Sequence, residues 1–208
     1  MKTLLLMRHA KSSWKEVDLP DIERKLNKRG KKDAPEMGAL IREKELIPQR
    51  ILSSTAARCR LTVEAMGETS GFSGPVDYHD SLYLAEPQAY IDAVKAVPDG
   101  EERILVMGHN PGLEGLLQML TDQVESLPTG ALAYLSLPLM HWSELSLTTK
   151  AELIEVYRPH DMRERAEEDA EREKREKKER KEQEAKAEKE AKAEKKTAEK
   201  KEKSKKKK

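Results

Sequence analysis

The chain has a single cysteine, Cys59, among its 208 residues. This excludes an intrachain disulfide framework and the small secreted scaffolds that depend on one. Long apolar runs are missing too. The N-terminal run extends only from Leu4 to Met7 before Arg8, too short for a signal-peptide core or a membrane span, so a cytoplasmic protein without membrane attachment is expected. A net charge of one sign is also lacking, since the formal total is +1. That near-neutrality hides two different regions. Residues 1–160 hold 19 Lys+Arg against 23 Asp+Glu, whereas residues 161–208 hold 21 against 16. One globular domain over 1–160 followed by a charged tail over 161–208 is therefore expected, because single domains commonly run to about 100–150 residues. No internal repeat is visible in the first region.

Beyond Met162 the tail contains no Leu, Ile, Val, Phe, Tyr or Trp, so it has no residues from which to build a coiled-coil seam. It does carry Glu-to-basic pairs four residues apart: Glu168 with Arg172, Glu171 with Arg175, Glu176 with Arg180, Glu182 with Lys186 and Glu188 with Lys192. Pairs of this orientation support a helix by about 0.2–0.5 kcal/mol each. The expectation is a solvated helical or disordered extension that fades toward Lys205–Lys208. Interleaved glutamates cancel most of its field, so nucleic acid is not an expected partner of the protein, although contact through the tail stays open. A monomer is expected.

What is present begins with Lys2–Met7, an apolar run of strand length ending abruptly in Arg8 and His9. The pattern then turns helical from Lys31, with Ala34, Met37, Leu40 and Ile41 on one face and Pro48 closing it. Ile51–Ser54 reads as a second strand, Ala56–Met66 as a helix that ends near Gly71 and Gly74, and Val76–Asp80 as a weak strand. Pro87–Val97 reads as a helix and Arg103–Gly108 as a short, continuously apolar strand. Asn110 and Pro111 suit an N-cap and first turn, so a helix is expected over Gly112–Leu120. Ala131–Leu137 and Glu152–Tyr157 finish the series as strands. Such alternation predicts a three-layer α/β/α domain whose central sheet is mainly parallel, with room for an antiparallel edge.

Three strand ends then deliver reactive side chains to the edge where open α/β sheets bind ligands. The first brings Arg8 and His9, the second Ser54 and Arg58, and the third His109 beside a helix start. Two guanidinium forks, two imidazoles and helix amides suit a compact, multiply charged anion such as a phosphoryl group. A neutral histidine held at one ring nitrogen can accept that group on the other, while the arginines and second histidine stabilise the equatorial oxygens. This chemistry calls for no cofactor and no metal, and neither His9 nor His109 has a carboxylate or cysteine partner at ligand spacing. Cys59, between Arg58 and Arg60, reads as a packed structural cysteine. His79, His141 and His160 read as surface or turn histidines, and Trp14 and Trp142 as packing residues, with the border of a substrate groove as their alternative use.

Leu6-Met7-Arg8-His9-Ala10 resembles the Arg-His signature of the histidine phosphatase superfamily, also called phosphoglycerate mutase-like, and Ser54–Glu64 resembles its second-arginine segment. Asp21–Gly30, Gly108–Leu113 and Pro128-Thr129-Gly130 are similar to the small SixA-type phosphohistidine phosphatase branch, in the correct order over residues 1 to about 158. The resemblance implies that His9 becomes phosphorylated, that Arg8 and Arg58 bind phosphoryl oxygens, and that His109 completes the pocket. Ser12, Arg24, Asn27 and Asn110 are further expected substrate contacts; Arg24 and Asn27, with Arg29 and Gly30, belong to the polar stretch Asp21–Gly30, which reads as a loop over the strand edge with little room for core residues. Larger members carry a glutamate acid between the second arginine and second histidine. Glu86 and Asp80 fall in that interval here, and both read as surface groups. An acid-poor pocket favours a phosphoramidate leaving group over an alkoxide, so a phosphohistidine protein is the expected substrate. A small-molecule phosphomonoesterase, or a phosphate-binding adaptor without turnover, are the alternatives.

Overall fold

The computed structural model describes residues 1–16, 18–164 and 168–180. The chain divides into two units, Met1–Asp161 and Met162–Lys208. The first unit is a three-layer α/β/α domain. Its single six-stranded sheet comprises β1 (Lys2–Arg8), β2 (Arg50–Ser54), β3 (Val76–His79), β4 (Arg103–Gly108), β5 (Leu132–Leu137) and β6 (Glu152–Tyr157), in the order β3-β2-β4-β1-β5-β6. Strands β3, β2, β4 and β1 run parallel, while β5 and β6 add antiparallel at one side.

Strand β1 lies inside the sheet, parallel to β4 and antiparallel to β5, and Leu4–Met7 are wholly buried. A strand covered on both faces has no reason to alternate polar with apolar residues, which is why this run is continuous. Its side chains nonetheless alternate in direction. Leu4 and Leu6, with Ile104 and Val106 of β4, join a cluster with α3 (Pro87–Lys95) and α4 (Gly112–Thr121) through Tyr90, Ile91, Leu113 and Leu117. Leu5, Met7, Leu105 and Met107 are equally buried and point to the opposite face. There α1 (Gly30–Glu43) and α2 (Ala57–Ser70) pack against each other.

Several local expectations need correction. Helix α1 ends at Glu43, five residues before Pro48, and the chain leaves it through Glu45 at φ 55°. Helix α2, by contrast, ends where the glycines place it: it runs to Ser70 and is closed by Gly71 at φ 79°, a left-handed C-cap open to glycine without steric penalty. The Asp21–Gly30 segment contributes to the core after all. Leu26 pairs with Ser12 in an isolated antiparallel bridge and packs with Ala10 and Ala34. Asn110 does not cap α4. The Asn110–Pro111 bond is cis, Pro111 occupies the N-cap position, and the Asn110 amide donates to Leu127 O at 3.0 Å.

Among the described residues, no helix is long and apolar enough to cross a membrane. In the second unit, residues 168–180 are helical and exposed. Ion pairs Asp169–Arg172 at 2.8 Å and Arg175–Glu179 at 3.6 Å lie along that helix. The pairs Glu182–Lys186 and Glu188–Lys192, and the Lys205–Lys208 end, lie outside the described residues.

Candidate active site

The carboxyl ends of β1, β2 and β4 converge on a cavity of about 330 Å³. Arg8, His9, Arg58, His109, Asn110, Ser12 and Arg24 line it, together with Lys11, Trp14, Asp21, Leu84 and Thr129. His9 is fixed from both sides. Its Nδ1–H donates to Ala10 O at 2.8 Å, which leaves Nε2 as an acceptor, and Nε2 receives the Arg58 Nε–H at 3.2 Å. A carbonyl can only accept and a guanidinium can only donate, so the two contacts define a single tautomer. Burial, only partly offset by the Ala10 carbonyl, pulls the His9 pKa down to about 3.

His109 obeys the same logic with the nitrogens exchanged. Its Nδ1 accepts from Arg58 Nη2 at 3.3 Å, so Nε2–H is left to donate to Ser54 Oγ at 2.9 Å. Burial and the adjacent Arg58 charge lower its pKa to about 4. The two imidazoles are thus neutral at pH 7, with ring centroids 5.1 Å apart.

Arg58 sits at the first turn of α2 and is 3% exposed. Besides the two histidines it donates to Asp21 O at 2.7 Å and Asp21 Oδ2 at 3.0 Å. Its turn is tied to β1 by Thr62, whose hydroxyl donates to Arg58 O at 2.6 Å and accepts the Ala10 N–H at 3.1 Å. Arg8 donates through Nη1 to Leu127 O at 2.9 Å, and its buried Nε–H has no protein partner among the described residues. An unpartnered buried donor is uncommon in native proteins, and this one belongs to a side chain that lines an anion-sized cavity. The turn Pro128–Gly130 closes that side. Gly130, at φ 84°, donates its N–H to both Arg8 O and His9 O at 3.2 and 3.1 Å.

The remaining expected residues separate. Ser12 and Arg24 line the cavity and bond each other, Arg24 Nη2 donating to Ser12 Oγ at 2.6 Å. Asn27 lies outside the lining, where its Oδ1 accepts the Gly30 N–H that opens α1. Arg29 pairs with Asp33 on α1 at 3.2 Å. Glu86 precedes α3 and Asp80 lies in a short 3-10 turn; both are exposed and neither lines the cavity. Cys59 is fully buried, and burial raises its thiol pKa to about 12. Trp142 is fully buried and donates through Nε1 to Glu101 O.

Sequence reasoning missed the one carboxylate among the described lining residues, Asp21. Its Oδ1 accepts from Arg24 Nη1 at 2.6 Å, and its Oδ2 accepts from Tyr83 OH at 2.7 Å as well as from Arg58. Partial burial works to raise the Asp21 pKa, but the bonds from Tyr83, Arg24 and Arg58 outweigh it and hold the carboxyl at about 2. The i,i+3 spacing of Asp21 and Arg24 was the available signal. Tyr83 carried none, because its partner lies 62 residues away.

The model of the histidine phosphatase superfamily (branch 1) matches residues 4–83. A chloroplastic protein of Arabidopsis thaliana is 34% identical over 153 residues, covering 69% of this chain and 70% of the relative. A Mycobacterium leprae protein is 31% identical over 166 residues, covering 74% of this chain and 99% of its own. Among solved structures, one carrying the name phosphohistidine phosphatase SixA, from Agrobacterium tumefaciens, aligns with a TM-score of 0.66 at 28% identity, over 76% of this chain and 98% of that one. The protein histidine phosphatase SixA complexed with tungstate aligns with a TM-score of 0.66 over 77% of this chain and 99% of that one; at 18% identity it shows the shared fold alone.

Proposed function

Because the chain belongs to the histidine phosphatase superfamily, we propose that it is a hydrolase that removes phosphate from phosphohistidine in proteins through a phosphoenzyme formed on His9. The observation that carries this reading is the fixed tautomer of His9. His9 lines the cavity with its Nε2 beside Arg58, and a pKa of about 3 keeps that nitrogen unprotonated at neutral pH.

In the proposed reaction, His9 Nε2 attacks phosphorus in line. The new N–P bond forms as the N–P bond to the substrate imidazole breaks, and Arg58 N–H groups turn from His9 and Asp21 to the phosphoryl oxygens. The unpartnered Arg8 Nε–H is a further donor to those oxygens. His109, held by Ser54, borders the same space. Water then cleaves the second N–P bond, releasing inorganic phosphate and restoring neutral His9. The charge stabilisation in these steps comes from guanidinium groups, so the scheme requires no metal.

Leaving-group chemistry supports an N-phosphoryl substrate. Asp21 is ionised and bonded on both oxygens, so it has no proton to give an alkoxide. An imidazole leaves with far less help, and it can take its proton from solvent. In the homologous fold, the structure named for SixA carries the same phosphohistidine label.

The test uses a peptide carrying ³²P-labelled phosphohistidine. Wild-type protein acquires acid-labile, alkali-stable label and releases phosphate, whereas His9→Ala does neither. Label retained on His9→Ala would refute the nucleophile, and faster hydrolysis of alkyl phosphate monoesters than of the peptide would refute the substrate class.

A further inference from the structure

The mouth of the cavity contradicts its interior. Almost every lining group is charged or polar, yet two large apolar side chains stand exposed at the rim: Trp14, 71% accessible, and Leu84, 55% accessible. A tryptophan or leucine left in water forgoes burial that ordinarily stabilises a fold, and the contrast with Trp142, wholly inside the core, is direct.

Trp14 is held in place although it is exposed. The Arg24 guanidinium lies 3.2 Å from the ring centroid, and that guanidinium is immobile. Its Nε–H donates to Ser13 O at 2.9 Å, and its two terminal nitrogens donate to Asp21 and Ser12. One face of the indole therefore rests on a fixed cationic plate and the other is free, so little rotamer freedom remains to be lost when a second flat group stacks there.

Leu84 sits in the left-handed region at φ 47°, an uncommon conformation for a bulky residue and one that costs about 1–3 kcal/mol when the surroundings impose it. The surroundings do impose it. On one side the Tyr83 hydroxyl is bonded to Asp21. On the other, Ala85 O lies so close to Gly112 at the start of α4 that a Cβ there would come within 1.8 Å. These anchors hold an apolar side chain at the cavity mouth.

From this juxtaposition we infer that Trp14 and Leu84 form a leaving-group subsite that clasps the imidazole ring of a phosphorylated histidine side chain in a protein substrate while its phosphoryl group lies between Arg8 and Arg58. The inference rests on the proposed function and deepens it. A flat, weakly basic ring fits an indole face and an aliphatic edge, whereas a sugar or a serine side chain offers neither stacking surface nor a leaving group suited to a pocket whose one described carboxylate is fully bonded. The cationic lining of Arg8, Lys11 and Arg58 complements the dianionic phosphoryl group rather than the ring, which separates the two halves of the substrate by chemistry.

The test compares kcat/KM for a phosphohistidine peptide with that for acetyl phosphate, which presents a phosphoryl group and no ring. Trp14→Ala and Leu84→Gly are each expected to lower the peptide-to-acetyl-phosphate ratio roughly three- to tenfold, as loss of one stacked or apolar contact implies, chiefly through KM. Trp14→Phe restores most of it. An unchanged ratio in both variants, with wild-type protein active on the peptide, overturns the subsite and leaves the functional reading standing. Wild-type protein that cleaves acetyl phosphate but not the peptide defeats the functional reading, and the subsite with it. Preference of the wild type for a nucleoside monophosphate over the peptide reassigns the ring and likewise overturns the inference.

Discussion

Acidification from pH 7 to pH 5 will destabilise this domain by an amount that its two site histidines set. An unfolded histidine titrates near 6.5, whereas folded His9 and His109 titrate at about 3 and about 4. Between those values the unfolded chain binds protons that the folded chain refuses. The contribution to stability is therefore fully present above about pH 6.5 and is lost as pH falls toward the folded values. Linkage over pH 7 to 5 gives a loss of about 2 kcal/mol for each histidine and about 4 kcal/mol for the pair, against a total stability of about 5–15 kcal/mol for a typical domain. Asp21 does not blur this window. Its carboxyl is depressed to about 2, so the stability it contributes is present above the unfolded value near 4 and is lost only at lower pH. The assay is urea unfolding at pH 7, 6 and 5 for wild type, His9→Gln, His109→Gln and the double variant. Each single variant is expected to lose about 2 kcal/mol less than wild type over the range, and the double variant to be nearly flat. Equal pH slopes in wild type and double variant would refute the neutral, buried state assigned to both rings.

Two further outcomes follow from the same geometry. Asp21→Asn removes a charge that orients both Arg24 and Arg58, so kcat on phosphohistidine peptide is expected to fall about tenfold, the scale of roughly 1.4 kcal/mol; Glu86→Gln and Asp80→Asn, both exposed and outside the cavity lining, leave it unchanged. Wild-type rates for Asp21→Asn in steady-state assays would show that the arginines need no such anchor. We also propose that residues 1–160 are self-sufficient. A chain ending at His160 is expected to keep its thermal midpoint and its phosphatase activity, and loss of either on truncation would assign the tail a structural or catalytic part.

The legible parts of this protein were those written in contiguous residues. The continuous apolar runs of β1 and β4 stand out because both faces of those strands are covered, and each run stops at the group it delivers, Arg8-His9 in one case and His109 in the other. Arg58 was readable for the same reason, one turn beyond β2. What escaped reading depends on contacts between segments. Leu26 looks like a stray apolar residue among charges until the Ser12 bridge brings it against Ala10 and Ala34. Asp21 looks like another surface acid until Arg58 and Tyr83 reach it from 37 and 62 residues away. Thr62 acts through its position four residues past Arg58, a spacing equally common in helices with no such role. Trp14 misleads in the opposite direction, because tryptophan usually packs, and only the stacked Arg24 reveals why this one can remain outside.

The double pairing of β1 has a consequence for which parts of the site can open independently. Lys2–Met7 are bonded in register to β4 on one side and β5 on the other, and the backbone of Arg8 and His9 is closed by Ala131, Gly108 and Gly130. Amides in such a strand exchange with solvent only through opening events whose free energy approaches that of global unfolding. By contrast, Trp14 at the rim is 71% exposed and rests on the side chain of Arg24, a contact that opens at far lower cost. The proposed nucleophile thus belongs to the last part of the domain to unfold, while the rim inferred to meet the leaving group belongs to a part that opens more readily.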